Sequence, residues 1–216
     1  GHQRADLVAG LPLGDALAQR DHLTREASRD VYAAGTEFAI GAITMVGNTG
    51  TYIDSPFHRY ENGADLAGLD LNTLVDLPTI VVHRREVAAR AVVADELPDD
   101  IEAGSAVLID TGWDRHFGTE AYGDDAPFLS EAATELLVSR GVALVGIDSV
   151  NIDDASPAAA GRRPIHTALL GNGIHVVEHL TNLAALPARG ARFTAVPPRV
   201  EGFGTFPVRA YATIPD

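Results

Sequence analysis

Three short apolar runs, each closed by polar residues, constrain the fold of this chain more than any other feature. Residues 79–83 (Thr-Ile-Val-Val-His), 106–110 (Ala-Val-Leu-Ile-Asp) and 142–147 (Val-Ala-Leu-Val-Gly-Ile) have strand length and read as buried strands. Between the last two, residues 131–140 read as a helix, with Ser130 as its N-cap and Gly141 as its left-handed stop. Strands alternating with helical segments predict an α/β or α+β fold. Residues 37–46 predict another strand, 174–183 a strand or turn running into a short helix, and 207–214 a closing strand. Residues 47–58 are rich in Gly, Thr, Asn and Pro and are expected to be irregular, because Pro56 removes a backbone donor and turns Ser55 away from helix. The polar, alanine-rich residues 1–35 are not placed, and Gly1-His2 matches the scar of a removed tag. Internal repeats and low-complexity linkers are absent, so residues 1–216 are expected to form a single domain.

Composition narrows the function. A net charge of -14, from 16 basic and 30 acidic residues, supplies no phosphate-tracking field and argues against nucleic acid as a partner. With no cysteine, disulfides, thiolate metal sites and cysteine nucleophiles are excluded, and a metal would need His, Asp or Glu ligands. No apolar run approaches the roughly 20 residues that span a bilayer, and no signal peptide is visible, so a soluble, cytoplasmic protein without membrane partners is expected. Neither a phosphate-binding glycine loop nor a G-x-S-x-G elbow occurs.

Three polar clusters stand out. Asp54 and His58, with Tyr52 and Asn48 upstream, crowd a turn-rich segment; they either present functional groups or cap the turn through backbone hydrogen bonds. His166 and Glu178, with His175 and His179 beside the carboxylate, offer metal ligands or an acid/base pair. His175 and His179 would share a helical face, although lone histidines there are more often surface or supporting residues. Asp148, Asn151, Asp153 and Asp154 follow a strand, where turn and capping chemistry is the favoured reading.

At residues 48–58 the sequence resembles the signature of the cyclase family, whose members are kynurenine formamidase-like and isatin hydrolase-like. That signature is His-x-Gly-Thr-His-x-Asp-x-Pro-x-His, and Gly50, Thr51, Asp54, Pro56 and His58 match it in register. Further resemblance runs through residues 61–77, Leu108-Ile109-Asp110-Thr111-Gly112-Trp113, Val145-Gly146-Ile147-Asp148-Ser149, His166 to Leu183, and Pro207-Val208-Arg209-Ala210. The resemblance implies a mixed-sheet, barrel-like α/β core flanked by helices, assembled as a homodimer or homotetramer. It also implies metal-dependent hydrolysis of amide or related carbonyl bonds, with N-formylkynurenine and isatin among family substrates; some members are cyclases of antibiotic pathways.

Two signature histidines that hold the family's main zinc or manganese are replaced by Asn48 and Tyr52. A phenol with an ordinary pKa of about 10 is a poor ligand near neutral pH, so the usual metal site is expected to be lost. Three expectations follow. The first is a metal-free enzyme of specialised metabolism that cyclises, isomerises or eliminates at a small carbonyl compound. There His58 or His166 serves as acid or base, Asp54 or Glu178 orients it, and Tyr52 donates to an oxyanion. The second is an amidohydrolase with one zinc or manganese on His58, His166 and Glu178. The third is a non-catalytic binding protein on the inherited fold. Asn48, Phe57, Trp113 and Phe203 are the candidate pocket walls for a small-molecule substrate.

Overall fold

The computed structural model describes residues 2–9 and 17–215. Its centre is a nine-stranded mixed sheet, and the strands in chain order are β1 (His2–Asp6), β4 (Tyr52–Asp54), β5 (Leu77–His83), β7 (Ala106–Asp110), β9 (Leu144–Ile147), β10 (His175–Glu178), β11 (Arg189–Thr194), β12 (Thr205–Pro207) and β13 (Tyr211–Pro215). Across the sheet the order is β1-β13-β11-β5-β7-β9-β10-β4-β12. Two small sheets complete the described strands: β2 (Leu17–Leu23) with β3 (Ile40–Met45), and β6 (Ala91–Val92) with β8 (Phe128–Leu129). The large sheet curls into a half-barrel: the chain leaving β1 bridges Val8 to Leu180, just beyond β10.

The sheet buries both faces. Along β7, Ala106 and Leu108 point to one core with Ile53, Leu144, Val177 and Phe193, while Val107 and Ile109 point to the other with Val145, Ile147, Leu137 and Leu169. Burial on both sides explains why the central strands are continuous apolar runs without polar alternation. The second core is roofed by α2 (Glu131–Arg140) and α3 (Pro164–Gly171). Helix α2 is capped as the sequence predicts: Ser130 Oγ accepts from the Ala133 amide at 3.2 Å, and Gly141 takes φ 67°.

The predicted mixed α/β architecture and its central strands are present, with local corrections. Residues 52–54, inside the segment expected to be irregular, form a fully buried strand. Residues 175–178 form a strand that does not continue into helix; a 3-10 turn at 183–185 follows instead. The closing strand is two strands, β12 and β13, broken between 207 and 211. Part of the unplaced N-terminal segment is β1, which pairs with β13 at the sheet edge, and a short helix α1 (Arg25–Ser28) lies between β2 and β3. Residues 1, 10–16 and 216 lie outside the described residues. No helix among the described residues is long and apolar enough to cross a membrane.

Strand order decides where chemistry collects. β5, β7, β9 and β10 run parallel, and β4 lies antiparallel against β10 with Tyr52 opposite Glu178 and Asp54 opposite Val176. This pairing sets Asp54 one diagonal step from Glu178, the last residue of β10. Leu137 is fully buried and anchors α2 to the sheet. Leu137→Ala is expected to lower unfolding free energy by about 2–5 kcal/mol in urea titrations, while a loss below about 1 kcal/mol would contradict this anchoring role.

Candidate active site

Asp54, His166 and Glu178 converge: one ligand atom from each lies within 4.8 Å of the others, and all three residues are buried. Each arrives from a different element. Asp54 ends β4, Glu178 ends β10, and His166 sits in the first turn of α3. Helix α3 starts at Pro164, whose missing N–H costs nothing at a first helical position, but Arg163 supplies no side-chain cap. Asp153 caps it instead, Oδ1 accepting from the Ile165 amide at 2.8 Å and Oδ2 from the His166 amide at 3.1 Å. The same Oδ2 lies 2.6 Å from His166 Nδ1. That contact aims Nε2 at Asp54 Oδ2 and Glu178 Oε1, each 3.5 Å away.

The carboxyl groups differ in how far they are satisfied. Glu178 accepts the Tyr52 phenol on Oε2 at 2.5 Å and the Ile152 amide on Oε1 at 2.6 Å. Asp54 accepts the Thr205 hydroxyl on Oδ1 at 2.5 Å, but its buried Oδ2 has no hydrogen-bond partner among the described residues. Leaving such an atom buried costs free energy, so Oδ2 marks a position that a cation or proton donor should fill.

Electrostatics follow the crowding. Burial alone lowers the His166 pKa; the hydrogen bond to Asp153, with the nearby carboxyl groups of Asp54 and Glu178, outweighs it and carries the imidazole up to about 10. Burial pushes the Glu178 carboxyl up. Burial, then the Glu178 and Asp54 charges, push the Tyr52 phenol upward as well, which keeps its proton in place as a donor to Glu178. Asn48 lies beside that phenol.

Asn48 and Tyr52 stand at the signature positions where the resemblance puts two histidine ligands. Tyr52 points a protonated phenol at a carboxylate, where a ligand would need a lone pair. The second set, Asp54, His166 and Glu178, fits one divalent ion: it has two carboxyl groups, an imidazole whose far nitrogen is held by Asp153, and an unpartnered oxygen. This set differs from the expected His58, His166 and Glu178. His58 stands at the edge, its side chain 37% exposed, its Nδ1 3.7 Å from Asp54 Oδ1 and its ring centre 6.0 Å from that of His166.

His58 opens into a cavity of about 300 Å³ that it lines with Asn48, Phe57, Phe203, Thr205 and flanking glycines. The structure thus brings three of the four candidate pocket walls together. Trp113 lies outside this cavity, its indole N–H donating to the Tyr122 carbonyl at 2.8 Å and its ring tilted against His116. His175 is buried and His179 partly buried, both outside the cluster, and desolvation lowers both pKa values to about 4. His175 contacts Thr73 at 2.9 Å and His179 contacts the Tyr122 hydroxyl at 3.0 Å. Asp148 closes the turn after β7, accepting from the Thr111 amide at 2.9 Å, the Thr111 hydroxyl at 2.6 Å and the Gly112 amide at 2.7 Å. Asp154 pairs with Arg90 at 2.8 Å. Sequence reasoning missed Thr205, and for Asp153 it favoured turn and capping chemistry over a place in the site. Pro164 at a helix start was the available signal for α3.

Comparisons with known proteins identify the family and the fold. The putative cyclase family model matches residues 15–154. The kynurenine formamidase of Geobacillus thermodenitrificans is 33% identical over 159 residues, 68% of this chain and 72% of that protein. The isatin hydrolase of Roseibium aggregatum is 29% identical over 205 residues, 84% of this chain and 77% of that protein. Other kynurenine formamidases are matched over 64% of their own length, just under two thirds. Among solved structures, an isatin hydrolase bound to the product analogue thioisatinate superposes with a TM-score of 0.81 at 24% identity, covering 100% of this chain and 93% of that one.

The His166 proton is held more tightly in the folded metal-free chain than in the unfolded one, from 6.5 to about 10. The resulting stability is fully present below about pH 6.5 and is lost as pH rises through about 10. Urea unfolding of the chelator-treated chain should show this decline, and Asp153→Asn should make it smaller. An unchanged decline in Asp153→Asn would contradict the role given to that contact.

Proposed function

The chain belongs to the cyclase family, and from that premise we propose that it is an enzyme that hydrolyses an amide or related bond at the carbonyl carbon of a small molecule. The reading rests on one observation: Asp54, His166 and Glu178 converge around the unpartnered Oδ2 of Asp54. These three would hold one divalent ion, which when bound would supply Lewis acidity at the carbonyl. The change from the expected set is supported by position, since Asp54 lies inside the cluster and His58 faces the cavity.

The chain's own residues divide the remaining work. Asp153 holds His166 Nδ1 and so keeps Nε2 turned to the cluster. Tyr52 and the Ile152 amide fix both oxygens of Glu178. His58 is the acid/base group: it lines the cavity, is half-exposed, and sits beside Asp54. It takes a proton from the attacking water as the C–O bond forms and returns it to the leaving nitrogen as the C–N bond breaks. Phe57 and Phe203 offer apolar walls, and Asn48 a polar one.

A metal-free reading is supported by a different observation. Charged His166 itself faces Asp54 and Glu178, so a proton on Nε2 balances part of the buried negative charge without an ion. His58 would then work alone by acid/base chemistry, for cyclisation, isomerisation or elimination as in specialised metabolism. The non-catalytic reading is weaker, because an open cavity adjoins His58 and one oxygen of Asp54 is unspent. A homodimer or homotetramer, within a soluble cytoplasmic setting, completes the proposal. Its support is the exposed apolar surface of the β2–β3 hairpin region, including Val31, Phe38, Ile43 and Val46.

N-formylkynurenine and isatin are the first substrates to assay. On the substrate that is turned over, His58→Ala is expected to lower kcat/KM by about 10²–10⁴-fold. Chelation should abolish activity and added zinc or manganese should restore it. Full activity in His58→Ala would remove its role, and activity unaffected by chelation would favour the metal-free reading.

A further inference from the structure

Thr205 sits where two site residues meet. Its Oγ1 lies 2.5 Å from Asp54 Oδ1 and 2.7 Å from His58 Nδ1. The position is built. β12 pairs antiparallel with β4, and Thr205 is the direct partner of Asp54. Two glycines let the neighbouring backbone approach closely. A Cβ on Gly204 would lie 2.5 Å from the His58 backbone nitrogen, and one on Gly47 would lie 2.5 Å from the Thr205 carbonyl oxygen. The Gly204 carbonyl is fixed by the Ser55 amide at 2.8 Å and the Ser55 hydroxyl at 3.0 Å. Thr205 itself is buried.

Donor counting then sets the protonation of His58. A threonine hydroxyl has one proton and two lone pairs, and an ionised carboxylate only accepts. Asp54, as an ion-holding group in the reading above, is ionised, so the hydroxyl proton belongs to the Asp54 contact. Thr205 Oγ1 then faces His58 Nδ1 with a lone pair, and Nδ1 must bring the hydrogen. We propose that Thr205 is a positioning residue that locks His58 in the Nδ1–H tautomer and leaves the Nε2 lone pair for the cavity. No described residue hydrogen-bonds Nε2, and His58 lines the cavity. This inference rests on the hydrolase reading for the charge of Asp54.

The arrangement also keeps the proton where it is useful. When Nε2 takes a proton from water, Nδ1–H stays on Thr205 and the Thr205 proton stays on Asp54. No proton leaves by that route, so the one gained at Nε2 is available to the leaving nitrogen. A lock of this kind should act on turnover more than on substrate binding, because Thr205 reaches the substrate through His58.

The test is long-range ¹H–¹⁵N NMR of the imidazoles in the labelled chain. His58 is assigned by the signals missing in His58→Gln and read in its neutral form, at a pH where its shifts no longer move. The expected result is Nδ1–H in the wild type, a shift toward Nε2–H in Thr205→Val, and return to Nδ1–H in Thr205→Ser. Kinetically, Thr205→Val should lower kcat by about 10- to 100-fold with KM little changed, and Thr205→Ser should recover most of it. Nε2–H in the wild type overturns the proposal, and so does a Thr205→Val spectrum identical to wild type. If Thr205→Val fails to fold, the wild-type and Thr205→Ser spectra still decide. A chain that shows the lock but cleaves no amide would sink the hydrolase reading and leave the tautomer assignment standing; an active chain with Nε2–H would do the reverse.

Discussion

The His166 imidazole, held by Asp153 on one side and facing Asp54 and Glu178 on the other, is the contact on which the site depends. Three carboxyl groups are buried around one imidazole. Burying carboxylates is expensive unless positive charge and hydrogen bonds accompany them. Most of their oxygens are met: by Tyr52, by Thr205, and by the amides of Ile152, Ile165 and His166. Oδ2 of Asp54 is left over, and it faces His166 Nε2. A proton on Nε2 and a divalent ion among the three ligands are alternative answers to the same excess of negative charge.

The fold serves that contact through strand order. β4 comes early in the chain, yet it lies beyond β10 in the sheet, and β12 closes outside it. Residues 52–54, 175–178 and 205–207, far apart in sequence, therefore share one edge of the half-barrel. Helix α3 delivers His166 from above, and Asp153 both starts that helix and orients its histidine. Inside this frame Tyr52 donates to Glu178, which ties the signature strand to β10 by a side-chain bond as well as by the ladder.

Much of the frame was legible because local rules and tertiary demands agree there. The apolar runs at 79–83, 106–110 and 142–147 mark strands buried on both faces, and Ser130 and Gly141 bracket a helix whose caps are local. Tyr52-Ile53-Asp54 was not legible as a strand, because its Gly- and Pro-bearing flanks signal a turn while pairing with β10 and β12 overrides them. Asp153 looked like a turn residue because its target, His166, is thirteen positions away along the chain. Thr205 carried no signal, since its value comes from lying opposite Asp54, 151 residues upstream. Of the candidate side chains, Asp54, His58, Tyr52, His166 and Glu178 are neighbours in space, while Trp113 lies apart, and sequence spacing had no means of separating these cases.

The claim that Asp54, His166 and Glu178 form a single ion site is tested most directly by locating the ion. Zinc or manganese added to the chelator-treated chain should bind at one per chain, and anomalous diffraction should place it among those three side chains. Asp54→Asn and Glu178→Gln should lose the ion, and His58→Gln should retain it. A folded chain that takes up no ion, or one that binds it with Asp54 and Glu178 replaced, would contradict the account.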